Sequence, residues 1–276
     1  MNNFFESTKI RKMIFIYVFV VIFFCIISEL SFVKSTGILD ENLFLLLCNL
    51  GVLAWFMLKL RKVSYDVKNG INDLKTDLNI KDIMFSIIIN ITVTIGFVII
   101  AVYALKSISP SFMNGLLEEL NKSDSNSLYS IIINGIAASF IAPIVEELIF
   151  RGVILNRLKI KIGVKKAIIV SSILFGMIHY ELGILSAIIF GVCMSLIYLK
   201  TRNIFATITI HIINNFMIFF VQVISFLIDR NGSKENITLS SFNSLGFIDG
   251  IGCFVLGIVM STYFVKVNWN KRIIQQ

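Results

Sequence analysis

Residues 128–155 have the sequence LYSIIINGIAASFIAPIVEELIFRGVIL, an apolar run whose only charged residues are Glu146, Glu147 and Arg151. About 20 apolar residues are enough for a helix to cross the hydrocarbon layer of a bilayer, which is ~30 Å thick. The run therefore predicts a transmembrane helix that contains three ionisable groups. Each such group costs at least a few kcal/mol in the bilayer unless it is paired or hydrated, so their presence indicates a functional site.

Seven further apolar runs accompany this one. Of the 276 residues, 57% are hydrophobic and only 15% are charged, against about 25% charged in an average soluble domain. A soluble core of this size could not absorb so much apolar surface. We therefore predict an all-α integral membrane protein with about eight transmembrane helices, at residues 13–33, 42–58, 83–105, 128–155, 167–183, 184–199, 204–228 and 245–265. Only the polar, glycine-bearing stretch at residues 180–183 separates the fifth run from the sixth.

The lysines and arginines are distributed unevenly between the connecting segments. With the N-terminus in the cytoplasm, 19 of the 25 fall in inside segments and five in outside segments, and the remaining one is Arg151. Because cytoplasmic loops carry the excess of basic residues, this count predicts a multi-pass protein of the cell membrane with both termini in the cytoplasm. The first run is too long for the apolar region of a signal peptide, so we predict that it is retained as a helix.

The net charge of +8 does not indicate nucleic-acid binding. The basic residues lie in the gaps between apolar runs rather than on one face, which favours anionic lipid headgroups as their partners. The four cysteines all fall inside apolar runs and form no CxxC pair, so they are interpreted as small buried hydrophobes; they are Cys25, Cys48, Cys193 and Cys253.

Polar residues on three predicted helices could meet at one interior spot. The only two histidines, His179 and His211, both lie inside apolar runs. His211 and Asn215 are four residues apart and therefore share one face of a helix. Glu146 on the fourth helix, His179 on the fifth and the His211–Asn215 pair on the seventh form the candidate set.

This set of residues predicts hydrolysis by activated water. A carboxyl group in an apolar setting, here Glu146, can act as general base and acid, and His179 beside it can orient the attacking water. His211 and the Asn215 amide can donate hydrogen bonds to a developing oxyanion. No nucleophilic serine or cysteine is required by this scheme.

Other readings of the same residues stay open. Glu147 and Arg151 are four residues apart, so they can form an ion pair that is only a structural brace. An intramembrane histidine can also be a helix–helix hydrogen bond or a step in a proton relay. Two histidines and a glutamate are a ligand set of hydrolytic Zn²⁺ sites, with Glu146, His179 and His211 as the alternative ligands. The H-E-x-x-H spacing that such sites usually show is absent, so our first prediction requires no cofactor.

Three short motifs give the chain a resemblance to a known family. Glu146-Glu147-x-x-x-Arg151, Phe175-x-x-x-His179 and His211-x-x-x-Asn215 resemble, in this order, the three motifs of the CPBP family, the CAAX prenyl endopeptidases and bacteriocin-processing enzymes, also called the Abi family. The likeness covers about residues 128–228. No motif position is substituted.

The resemblance implies a CAAX-endopeptidase-like intramembrane protease core with a cavity open to the cytoplasm. It implies that Glu146 and His179 activate water and that His211 and Asn215 form the oxyanion hole. Glu147 and Arg151 would support the site. Phe175 would line or pack it. Family members are often labelled metalloproteases, but the glutamate-based mechanism needs no metal.

Three sequence regions follow from this reading. Residues 1–127 hold the first three transmembrane helices with a cytoplasmic loop at 59–81, residues 128–228 form the catalytic core, and residues 229–276 form the last helix and tail. We predict an intramembrane endopeptidase that cleaves a membrane-associated peptide or protein, in peptide-pheromone or bacteriocin processing or in CAAX-type C-terminal cleavage. The alternative is a non-enzymatic membrane immunity protein or a transporter that retains the motif.

Overall fold

The structure is a computed structural model that describes residues 5, 7–36, 39, 41–62, 67–122, 128–179, 183–231 and 244–269. The regular elements in these ranges are all helices, which confirms the predicted all-α class. Numbered in chain order, they are α1 (Ile10–Ser28), α2 (Ser31–Thr36), α3 (Glu41–Lys62), α4 (Val67–Asn72), α5 (Leu74–Asp77), α6 (Ile80–Ile108), α7 (Pro110–Lys122), α8 (Leu128–Ile162), α9 (Val164–Met177), α10 (Ile184–Thr201), α11 (Ile204–Asn231) and α12 (Ser244–Asn268).

Seven helices of the described ranges are long and apolar enough to cross a membrane, namely α1, α3, α6, α8, α10, α11 and α12. They correspond to seven of the eight predicted segments, and the chain is a multi-pass membrane protein. The fifth predicted segment, 167–183, is instead the helix α9, which has 14 residues. At about 1.5 Å per residue it spans only ~21 Å.

Helix α9 ends early because His179 closes it. The His179 backbone N–H donates to the Gly176 carbonyl at 2.9 Å, and its ring Nδ1 lies 2.9 Å from the Phe175 carbonyl oxygen. These contacts satisfy carbonyls that a continuing helix would have bonded. The predicted segment extends to residue 183, so hydropathy alone overestimates the length of this helix. Of the predicted divide at 180–183, residues 180–182 lie outside the described residues.

One compact unit comprises Met1–Leu78, Leu128–Ser171 and Thr201–Val223. Helix α3 packs against α1 and α8, with Gly51 of α3 so close to α1 that an added Cβ would lie 2.8 Å from Val20. The fully buried Phe5 ring covers Gly152 of α8 in the same way. In a bilayer the hydrophobic effect does not drive helices together, because lipid tails are as apolar as the side chains. The small residues therefore matter because they let neighbouring segments approach closely and gain van der Waals contact.

Asn203 fixes one end of this unit. Its Nδ2 donates to the Gly70 carbonyl at 2.8 Å and to Asp77 Oδ2 at 2.9 Å, and its Oδ1 accepts from the Phe205 N–H at 3.0 Å. The last contact is an N-cap of α11. The predicted cytoplasmic loop at 59–81 thus contains two short helices, α4 and α5, that are tied to the start of α11.

The other unit comprises Asn79–Ser127, Ser172–Lys200 and Ile224–Gln276. Helices α6 and α12 pack along glycines: an added Cβ on Gly96 would overlap the Phe254 backbone, and one on Gly257 would lie 2.6 Å from Val93. At one end, Lys200 Nζ donates to Asp82 Oδ2 at 2.7 Å and to Asn268 Oδ1 at 2.9 Å. The start of α6 and the ends of α10 and α12 therefore lie on the same side of this unit.

Candidate active site

In helix α8, the two glutamates of the acidic motif, Glu146-Glu147-x-x-x-Arg151, lie between two π-helical stretches, whose turns are wider than those of an α-helix. Its backbone is α-helical over Ala142–Glu147 and π-helical over Ala137–Ile141 and Leu148–Leu155. Such π-helical turns inside α-helices are rare and occur frequently at functional sites. Asn156 stabilises the second stretch, because its buried amide Nδ2 donates to the carbonyls of Arg151 at 3.1 Å and Gly152 at 2.8 Å.

Glu147 and Arg151 form a buried ion pair, as their spacing predicts. Arg151 Nη1 donates to Glu147 Oε1 at 2.8 Å, and the two side chains are 1% and 0% exposed. A buried carboxylate or guanidinium without a partner is strongly destabilising, so each holds the other in place. The Thr207 side chain of α11 lies beside Glu147, and its hydroxyl donates to the Ile204 carbonyl at 3.0 Å.

His211 of α11 lies between the two glutamates. Its Nδ1 lies 3.0 Å from Glu147 Oε1, and its Nε2 lies 3.7 Å from Glu146 Oε2. Since a carboxylate only accepts, the short contact places a proton on Nδ1. Glu147 therefore orients the imidazole, as the acidic partner does in a catalytic triad. The Nε2 atom is left facing Glu146.

The formal charges of these four side chains balance when His211 is doubly protonated. Glu146 and Glu147 carry two negative charges, and Arg151 and an imidazolium at His211 carry two positive charges. Charges in a membrane interior are tolerated when paired in this way. Glu146 is the more accessible of the two carboxylates, because its side chain is 20% exposed while that of Glu147 is fully buried.

Asn215 lies one turn beyond His211 on α11 and contacts the first π-helical stretch. Its Nδ2 donates to the Ala138 carbonyl at 2.9 Å, and its Oδ1 accepts from Asn214 Nδ2 at 3.0 Å. One unit thus brings together five of the seven predicted residues, namely Glu146, Glu147, Arg151, His211 and Asn215.

The remaining two, Phe175 and His179, belong to the other unit. The Phe175 ring is buried and lies 4.7 Å from the His179 ring, centroid to centroid. Because the Phe175 carbonyl can only accept, the His179 Nδ1 carries a proton and Nε2 is the basic nitrogen. The convergence of His179 on Glu146 stays a prediction.

Comparisons with known proteins point to the same stretch of chain. Residues 128–217 match the family model described as type II CAAX prenyl endopeptidase Rce1-like, and they contain all three motifs. These residues, called the CPBP segment below, are therefore similar to the CPBP family.

A curated relative supports this assignment. The chain is similar to a protein of Bacillus subtilis (strain 168) named "Putative membrane peptidase YdiL", with 32% identity over 89 residues. The alignment covers 32% of this chain and 36% of that protein, so the chain matches about a third of the relative's length. No solved structure gives a significant match.

The sequence did not predict three polar contacts of the CPBP segment. Thr207 lies four residues before His211 on the same face of α11, and that spacing could have indicated its place beside Glu147. Asn214 directly precedes Asn215, and nothing in the sequence indicates that its amide donates to the Asn215 oxygen. Asn156 follows the acidic motif, and nothing in its spacing indicates that it supports a π-helical stretch.

A zinc site was tested against the same residues. His211 Nε2 and Glu146 Oε2 face each other, and the Nδ1–Glu147 contact is of the kind that orients a metal-bound histidine. In the part of the chain that the structure describes, no group of three His, Cys, Asp or Glu side chains is placed to hold a metal ion. His179, the third ligand of the zinc alternative, lies in the other unit, so that alternative stays a prediction, and no step below depends on it.

Proposed function

We propose that the protein is an intramembrane endopeptidase in which Glu146 activates water for the hydrolysis of a peptide bond. The observation that carries the proposal is the buried His211, held by Glu147 on one nitrogen and facing Glu146 with the other. The membrane-spanning helices and the CPBP segment support a protease that acts at the bilayer.

The first step is the attack of water on the scissile carbonyl carbon. Glu146 accepts a proton from the water, and His179 Nε2 accepts a hydrogen bond from the same water and orients it. The contact of His179 Nδ1 with the Phe175 carbonyl supports this role, since it leaves Nε2 as the acceptor. Phe175 packs against the ring and limits its rotation.

The second step is the stabilisation of the tetrahedral oxyanion. The Nε2–H of a doubly protonated His211 and an Asn215 amide N–H donate to the oxygen. Glu147 stabilises the imidazolium through Nδ1, and Arg151 compensates the charge of Glu147. Donors preorganised in this way contribute about 10²–10³-fold each to turnover in related chemistry.

Collapse of the intermediate breaks the carbon–nitrogen bond. Glu146 returns the proton it took from water to the departing amine, so that the products are a carboxyl group and a free amine. Glu146, His179, His211 and Asn215 are the proposed catalytic residues. Glu147, Arg151 and Phe175 are positioning residues.

The proposed substrate is a membrane-associated peptide or protein that presents an extended segment to the site. Peptide-pheromone precursors, bacteriocin leaders and prenylated C-terminal peptides are the candidate classes. The proposed mechanism requires no metal, because Glu146 activates the water and His211 and Asn215 stabilise the oxyanion.

The test is proteolysis by purified protein in proteoliposomes. Wild type and Glu146→Gln are offered a panel of pheromone precursors and a farnesylated C-terminal peptide, with and without a chelator. Glu29→Gln is the matched control, because Glu29 is an exposed glutamate that pairs with the exposed Lys34 near the end of α1. We expect cleavage by wild type and the control, loss in Glu146→Gln, and no effect of chelation.

An unbiased measurement covers substrates outside the panel. Cells producing wild type or Glu146→Gln are compared by mass spectrometry of labelled protein and peptide termini in the membrane fraction. New termini that require Glu146 support the peptidase. Identical termini in both samples would favour the non-enzymatic alternative, and loss of cleavage on chelation would favour zinc.

A further inference from the structure

We infer that Pro143 and the first π-helical stretch of α8 leave the Ala138 carbonyl without a backbone donor, and that this carbonyl is the anchor that positions Asn215. The inference rests on the proposed function for the role of Asn215 in catalysis. The anchor itself rests only on backbone geometry.

The hydrogen bonds of the helix show why this carbonyl is available. In an α-helix the Ala138 carbonyl would accept from the N–H of residue 142. Here the Ala142 N–H donates to the Ala137 carbonyl, five residues back. The next backbone nitrogen that could serve Ala138 with π-helical spacing is that of residue 143, which is proline and has no N–H.

Asn215 fills the missing position. Its Nδ2 lies 2.9 Å from the Ala138 oxygen. Ala138 lies on the exposed side of the membrane-spanning helix α8, where the bilayer offers a carbonyl no donor, so the contact stabilises the fold as well as the amide. The carbonyl can only accept, which fixes the orientation of the Asn215 amide, with its NH₂ towards α8 and its oxygen away from it.

Asn214 completes the arrangement from the other side. The Asn215 oxygen accepts from Asn214 Nδ2 at 3.0 Å, and Asn214 is buried. With the amide held at its oxygen and at one N–H, the second N–H of Asn215 has a single direction. Pro143 and Asn214 are therefore positioning residues for Asn215, the proposed oxyanion donor. The π-helical stretch before the acidic motif contributes by leaving the Ala138 carbonyl available to Asn215.

Thermal stability in detergent tests the anchor without reference to catalysis. We use a double-mutant cycle, which compares the effect of Asn215→Ala on the melting temperature in wild type with its effect in the Pro143→Ala variant. Asn215→Ala is expected to lower the melting temperature by a few degrees in wild type, because Ala138 loses its donor. In the Pro143→Ala background the restored N–H serves the carbonyl, so the same substitution is expected to have a much smaller effect.

Two controls come from the chain itself. Pro110→Ala changes the other proline, which lies at the first residue of α7, where the missing N–H has no partner to lose. Asn49→Ala removes an amide that donates to the Leu45 carbonyl within its own helix. Neither substitution is expected to change the effect of Asn215→Ala on the melting temperature. If the double variant does not fold, Asn215→Leu, similar in shape and without a donor, replaces Asn215→Ala.

Measurements of turnover distinguish the Ala138–Asn215 anchor from the catalytic role of Asn215. Pro143→Ala and Asn214→Leu are expected to lower kcat by about 10- to 100-fold with little change in KM, since a misplaced donor affects only the transition state. If the shifts in melting temperature of the two single variants simply add in the double variant, the anchor is wrong, whatever the activity. Coupled melting temperatures with normal kcat in Asn215→Ala would retain the anchor and overturn its catalytic purpose. If cleavage is lost in Glu146→Gln but kcat is normal in the variants of Pro143, Asn214 and Asn215, the proposed function stands and only the further inference fails.

Discussion

The Nδ1 atom of His211 lies 3.0 Å from Oε1 of Glu147, and the same oxygen accepts from Arg151 at 2.8 Å. One carboxylate oxygen thus holds both an ion pair within α8 and the histidine of α11. The second glutamate of the motif is therefore more than a brace for Arg151. It fixes the ring orientation that turns the His211 Nε2 towards Glu146.

The Glu147–Arg151 pair is predicted to be essential for folding. Arg151→Ala leaves a fully buried carboxylate with His211 as its remaining charged partner, and breaking a buried pair in this way costs about 3–5 kcal/mol. We expect a large drop in the melting temperature of the purified protein. Lys34→Ala, which removes the exposed partner of Glu29, is the control and should change stability by less than about 1 kcal/mol. Equal stability of both variants would show that the buried pair contributes nothing.

His211 is predicted to act in the transition state. His211→Gln retains a polar side chain of similar length but cannot carry the positive charge. We expect kcat to fall by about 10²–10³-fold while KM changes little. The measurement is single-substrate kinetics in proteoliposomes, with circular dichroism to confirm the helix content. A change confined to KM would assign His211 to substrate binding instead.

The glycine contacts between α6 and α12 are predicted to be required for their packing. Gly96→Leu places a large side chain where even a Cβ overlaps the Phe254 backbone, so the helices must separate. We expect a lower melting temperature and faster proteolytic degradation. Gly252→Leu on α12 is the matched control, because an added Cβ there meets nothing within 4 Å. Comparable losses in both variants would indicate a general intolerance of leucine in these helices.

Both termini are predicted to lie in the cytoplasm. The distribution of basic residues supports this, and Lys200, Asp82 and Asn268 join the predicted inner ends of three helices. The test uses a variant whose four cysteines are replaced, with single cysteines introduced at residue 3 or residue 275. An impermeant maleimide should label these positions only after permeabilisation. A cysteine at Gly115 in α7, predicted to lie outside, should be labelled in intact cells; the reverse pattern would invert the topology.

The membrane fold could be predicted from the sequence because length and hydropathy determine it. Seven of the eight predicted segments are candidate spans, since an apolar run of sufficient length has no other stable conformation in a bilayer. The fifth segment was wrong in length. Its helix ends where the His179 ring meets the Phe175 carbonyl, and hydropathy contains no information about a side chain that caps a helix.

The sequence by itself determined which polar groups enter the membrane and which share a helix face. The Glu147–Arg151 pair and the common face of His211 and Asn215 follow from spacing, because helical geometry is local. Only the tertiary structure decided that Glu147 serves His211, since that contact joins residues 64 positions apart. It also decided that Asn215 meets the Ala138 carbonyl, 77 positions away, because a local backbone irregularity finds its partner only when two helices pack.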